Sequence, residues 1–206
     1  DATFKLFHPD STSTCFLVKR DPPDPAYYLV TTAHSLERIK GDTAIVVLRE
    51  QKPEGSYLRH DHTIAIRRGE SPLWVRHPKE DVAVLRLADP LPLPVFALPM
   101  TAIADETRLQ AEELETCSSI FLLTYPQRFE ANDAGFPVAR GGVIADHPFL
   151  PPQSHHRFLA DFTTFPGDSG GPVFVRTKDG HALIIGIVLA QFRHDETVKT
   201  EYEERT

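Results

Sequence analysis

Ser169 sits in the stretch FPGDSGGPVF, residues 165–174, where three glycines, two prolines and an aspartate surround one hydroxyl. A plain turn could be made with less, so Ser169 is either a hinge residue or a nucleophile. A serine hydroxyl attacks a carbonyl poorly unless a neighbouring base removes its proton. Ten histidines could supply that base, and local context singles out His34, which ends the apolar run YLVTTAHSL. Asp81 heads a second apolar run in HPKEDVAVLRL, where a carboxylate could orient the imidazole. The three lie far apart along the chain and can meet only across a fold.

Taken singly, each has a plainer explanation. A glycine-rich turn with a serine is usually just a turn, a histidine after a strand is usually solvated or packed, and a strand-leading aspartate is usually a cap. The remaining histidines are assigned to surface or packing, with the adjacent His155 and His156 at most an adventitious metal contact. Cys15 and Cys117 fall in no CxxC or Cys/His cluster, so zinc has no ligand set. Both lie in apolar stretches and are expected to be buried free thiols.

The elements that must position these residues are strand-like. CFLV, YYLVTTA, TAIVVLR, HTIAIRR and VAVLRL are short β-branched or aromatic runs broken by Pro, Gly, Asp and His. SIFLLTY, PVARGGVI, RFLADF, GPVFVR and ALIIGIVLAQF continue the pattern beyond position 115. Strands at this spacing without intervening helices predict an all-β protein of barrels or sandwiches. Between the two groups, ADPLPLPVFALP (88–99) holds four prolines and reads as a semi-rigid strap. TAIADETRLQAEELET (101–116) is the one helical stretch, expected as an exposed connector.

The 206 residues are 41% hydrophobic and 25% charged, an ordinary globular balance, with a formal net charge of −7. Nucleic-acid binding needs a basic face, which this balance and the scattered basic residues argue against. No uncharged apolar stretch reaches the roughly 18 residues of a membrane span. DATFKLFHPD has no basic-then-apolar leader pattern, and an earlier removal of a leader is compatible with it.

TAH, DVAVLRL and GDSGGP, in this order, resemble the trypsin-like, chymotrypsin-fold serine peptidases. The spacing is closest to their bacterial HtrA-like and stand-alone branches. The resemblance implies two six-stranded antiparallel β-barrels closed by the proline-rich strap. Residues 1–90 would form the barrel carrying His34 and Asp81, 91–106 the connector, and 107–206 the barrel carrying Ser169. It implies a serine endopeptidase acting on polypeptides through an acyl-enzyme, with no cofactor and no metal. His34 would take and return the Ser169 proton while Asp81 orients the ring. The backbone N–H groups of Gly167 and Ser169 would form the oxyanion hole, each donor contributing about 3 kcal/mol in comparable enzymes. Thr163 would lie at the base of the specificity pocket, and Leu189, Ala190 and Gln191 would pair with substrate. With no carboxylate at Thr163, that pocket is expected to take small or medium apolar side chains and not Arg or Lys.

The chain also departs from the pattern. No Ile-Val-Gly-Gly start is present to pair with Asp168, and a buried unpaired carboxylate is destabilising by several kcal/mol. Side chains or backbone amides of the second barrel are therefore expected to satisfy it, with no zymogen step. Ser35, not cysteine, follows His34. After GIVLAQF only the polar RHDETVKTEYEERT remains, so the second barrel is expected to be incomplete unless another domain or chain completes it. The competing functions are a non-catalytic peptidase-fold binding module and an esterase-like serine hydrolase.

Overall fold

A computed structural model describes residues 2–23, 25–87, 91–148 and 150–189. The strands are β1 (Thr3–His8), β2 (Ser11–Arg20), β3 (Ala26–Thr31), β4 (Thr43–Gln51), β5 (Tyr57–Ala65), β6 (Arg67–Arg68), β7 (Ser71–Pro72) and β8 (Trp74–Arg76). They continue as β9 (Ala83–Arg86), β10 (Leu98–Pro99), β11 (Ser119–Thr124), β12 (Val138–Ile144), β13 (Ala160–Asp161), β14 (Pro172–Arg176) and β15 (Ala182–Ile187). Two short helices, α1 (Ala33–Glu37) and α2 (Glu106–Ala111), interrupt them.

The protein is all-β, as expected of a chymotrypsin-like chain, and is built on two main sheets. The first runs β5-β4-β1-β2-β3-β9-β8, with β10 added parallel to β2; the second runs β13-β12-β11-β14-β15. Every neighbour pair along both paths is antiparallel. Among the described residues no strand pairing closes either sheet into a barrel.

Alternation along the strands sends one face of each sheet inward. Phe4, Leu6, Leu17, Leu29, Val46 and Leu48 build the first core, and Ile120, Leu122, Ile144, Val173 and Leu183 the second. Each such side chain stabilises the fold by about 1.5–3 kcal/mol on full burial. A third, smaller cluster of Phe16, Val18 and Ile184 lies where β2 faces β15 and ties the two cores together. In the described part of the strap, Leu91, Leu93 and Val95 pack on the first core and Leu98 pairs with Val18.

The structure adds one strand that the sequence did not mark and changes two local expectations. β1 carries no run long enough to stand out, yet it lies inside the first sheet with Phe4 and Leu6 buried. The helix over 101–116 shrinks to Glu106–Ala111, because Ile103 bridges to Ile184 and Ala104 N donates to Ile184 O at 2.8 Å. The Asp105 side chain caps the N-terminus through Arg108 N, and Glu113 ends the helix at φ +52°. Nor is it only an exposed connector, since Leu109 is buried. Both cysteines are free, but only Cys15 is buried. Cys117 is exposed because it sits in a left-handed turn at φ +72° before β11, with only its amide tied, to Ile144 O.

Candidate active site

Register explains how His34 and Asp81 meet. β3 and β9 are antiparallel with Thr31 opposite Ala83, so the chain leaving β3 and the chain entering β9 share one end of the sheet. At that end β3 gives way to α1. Ala33 is fully buried and its amide donates to Asp81 O at 3.4 Å, which turns the next residue, His34, outward. Asp81 then accepts twice from His34: Oδ2 from the ring at Nδ1, 2.5 Å, and Oδ1 from the backbone amide, 2.9 Å. Partial burial pushes the Asp81 carboxyl up, but these hydrogen bonds and the nearby positive charge more than offset it and hold the group below the usual carboxylate range. Ser35, in the place of the cysteine, bonds its hydroxyl to that of Thr32 at 2.6 Å in the interior.

Ser169 is presented by the turn that leads into β14. Its carbonyl accepts from Thr14 N at 2.9 Å, which pins the turn to β2. Gly170 (φ +84°) donates to Val188 O at 2.8 Å. A Cβ there would stand 2.2 Å from Thr14 O and 2.3 Å from Thr31 Oγ1, so only glycine allows this approach of backbone to backbone.

The amides flanking the serine are oriented from behind. Pro166 O accepts from Gln127 N at 2.6 Å, and the Pro166–Gly167 peptide is trans. In a trans peptide the N–H points opposite to the C=O, so the Gly167 N–H is turned away from the 126–128 segment that binds the carbonyl. Gly167 O accepts from Thr14 Oγ1 at 2.8 Å and φ is +102°. Neither Gly167 N nor Ser169 N has an acceptor among the described residues.

Asp168, 1% exposed, points the other way. Its Oδ2 accepts from Phe165 N at 2.7 Å, and its Oδ1 lies 2.6 Å from Arg140 Nη2 in a contact that is electrostatic, off the N–H direction. Arg140 also donates to Thr163 O at 2.5 Å and to Thr124 Oγ1 at 2.7 Å. The Arg140 side chain on β12 and the amide of Phe165, in the loop between β13 and β14, thus answer the carboxylate, as the sequence led one to expect. The identity of the side chain was readable only as an anomaly: Arg140 stands on β12 at the same parity as Ile144, where a cation needs an inward partner.

His34 and Ser169 line one cleft of about 400 Å³, with Asp10 from the β1–β2 turn, Ser11 and Thr12 from the start of β2, Arg38 from beyond α1, and Gln127 and Arg128. No hydrogen bond joins the Ser169 hydroxyl to the imidazole in the described structure. Catalytic hydrogen bonds are often long in the absence of substrate and tighten on binding. Of the residues expected in the specificity pocket, Thr163 is exposed and Leu189 half-buried, and neither lines this cleft. Ala190, Gln191 and the polar C-terminal stretch lie outside the described residues.

The wall formed by 126–128 is anchored on the first sheet. Lys5 Nζ donates to Arg128 O at 2.8 Å and to Glu130 Oε1 at 2.6 Å, and Arg59 pairs with Glu130 at 2.7 Å. Buried Arg49 donates to Thr3 O, Gly135 O and the Tyr125 hydroxyl, with its guanidinium 4.4 Å from the Phe4 ring and 4.6 Å from that of Phe136. Burial draws the Arg49 pKa down, an effect that Tyr125 partly offsets, and pushes the Tyr125 hydroxyl and the Cys15 thiol up.

No curated protein matches the chain. The sequence nonetheless has a counterpart, matched as a family and not as any branch of it. Residues 13–187 fit the trypsin-like peptidase domain, a span that contains His34, Asp81 and Ser169, and the chain therefore belongs to this family of serine peptidases that act on polypeptides.

Proposed function

We propose that the protein is a serine endopeptidase in which Ser169 is the nucleophile, His34 the general base and Asp81 the residue that orients and stabilises the imidazolium. The observation that carries this reading is the His34–Asp81 pair, engaged at both ring and backbone, opening onto the same cleft as Ser169. With Nδ1 committed to Asp81, the free ring nitrogen is Nε2, the one able to accept the serine proton. The acceptor-free amides of Gly167 and Ser169 supply the donors for the negative oxygen of a tetrahedral intermediate. Acylation moves the Ser169 proton to His34 and then to the leaving amine; water reverses the sequence and frees the acid. The exposed Thr163, which brings no carboxylate, fits an uncharged pocket for the residue before the scissile bond, to which we also assign Leu189.

Labelling with a fluorophosphonate probe tests the proposal directly. The wild-type protein should be labelled at Ser169, Ser169→Ala should not label at all, and His34→Ala should label more slowly by orders of magnitude. Equal labelling of wild type and His34→Ala would remove His34 from the mechanism. Labelling without cleavage of unfolded casein or peptides would favour the esterase alternative.

A further inference from the structure

Two of the stretches that line the cleft each carry an arginine whose side chain has no partner among the described residues. Arg38 follows α1 one turn beyond His34, its amide on His34 O at 3.1 Å, so the two side chains leave the same helical face. Arg128 belongs to the 126–128 wall, where backbone φ is +50° at Gln127 and +70° at Arg128. Non-glycine residues rarely adopt this left-handed region, and it persists where surroundings over-determine it. Here they do: Gln127 N is held by Pro166 O, Arg128 N by Tyr125 O and Arg128 O by Lys5 Nζ.

Other arginines are committed, Arg67 to three backbone carbonyls and Arg157 to Glu80, for example. Among the described arginines only Arg38, Arg68 and Arg128 have side chains without a hydrogen bond, ion pair or ring contact. Two of these three line the cleft that contains Ser169. The one carboxylate on its walls, Asp10, is turned to His8 Nδ1 and Lys40 N, each at 3.3 Å. A protein of net charge −7 thus leaves two unbalanced cations beside its serine.

Thr163 and Leu189 do not line this cleft, so the peptide on the acyl side of the scissile bond is assigned to them and the leaving segment to the arginine-lined side. We infer that Arg38 and Arg128 select polypeptides with an acidic side chain at one of the first three positions after the scissile bond, an inference that rests on the peptidase reading above. Three residues of extended chain reach roughly 10 Å, and guanidinium–carboxylate hydrogen bonds are charge-assisted and directional.

Two measurements test this. In the first, a mixed library of C-terminally amidated peptides is digested and the cut sites read by mass spectrometry. Asp and Glu should be enriched several-fold over Asn and Gln at one of those three positions, and R38Q/R128Q should bring the ratio to about one. R38E/R128E should turn the preference toward Lys. In the second, Ser169→Ala is titrated with fluorescein-labelled, amidated peptides that differ only in Glu or Gln. Glu peptides should bind several-fold tighter, and the difference should shrink when salt rises from about 0.05 to 0.5 M. Failure of both labelling and cleavage would count against the peptidase, while the binding comparison still decides the role of the arginines. Equal binding of Glu and Gln peptides, or a preference that survives R38Q/R128Q, overturns the inference.

Discussion

Asp81 grips His34 through both carboxylate oxygens, one on the ring and one on the amide, so ring and backbone are fixed together. The same contacts make the pair a source of pH-dependent stability. Burial raises the Asp81 pKa, the hydrogen bonds from His34 more than offset it, and the net shift is downward. A carboxyl whose folded pKa lies below its unfolded value of about 3.9 contributes stability that is complete above that pH and lost as pH falls through the folded value. Thermal melts of wild type and Asp81→Asn should therefore differ near neutrality and converge below about pH 4. A gap that persists unchanged in acid would remove the ionised carboxylate as its cause. His34, Asp81 and Ser169 could be picked from the sequence because each closes or opens a recognisable apolar run. Arg38 and Arg128 could not, for nothing local marks a side chain as lacking a partner; that property belongs to the assembled surface.

Among the elements, the turn that carries Ser169 depends most on its neighbours. β2 gives it two hydrogen bonds, from Thr14 N to Ser169 O and from Thr14 Oγ1 to Gly167 O, and Gly170 packs against both Thr14 and Thr31. Those atoms cannot retreat readily, since Thr31 Oγ1 itself donates to Thr14 O at 2.8 Å. Gly170→Ala combines a left-handed φ with a contact inside van der Waals distance, and should destabilise the fold by about 3 kcal/mol. Urea unfolding measures that loss, and fluorophosphonate labelling should slow with it; a variant of wild-type stability would show that β2 can move away. The long apolar runs were legible as strands because β-branched residues and period-two burial coincide there. β1 was not, since its alternation FKLF includes a lysine whose inward-side neighbours and distant acid partner exist only after folding. The shortened α2 has a similar cause: its helical composition gives way to a bridge with β15.

At the scale of the whole molecule, contacts between the sheets decide whether the cleft has a fixed width. Glu130 receives Lys5 and Arg59 from the first sheet, and Arg49 spans from Thr3 to Tyr125 and Gly135. Lys5 and Glu130 are only 10% and 14% exposed at their side chains, so removing one charge strands the other in a poorly solvated place. Glu130→Gln should lower stability by about 2 kcal/mol, discounted for the half-open Arg59 contact, with the single tryptophan, Trp74, reporting urea unfolding. An unchanged midpoint would mean that the Arg49 contacts alone hold the sheets. None of these partners is near another in the chain, which is why the spacing of motifs revealed the fold class and left the joint between sheets unread. The Arg140–Asp168 contact has a further consequence. The cation beside the serine-bearing turn stands on β12, in the same sheet as β14, the strand that continues from that turn. Once that sheet has formed, the electrostatic partner of the turn is already in position beside it.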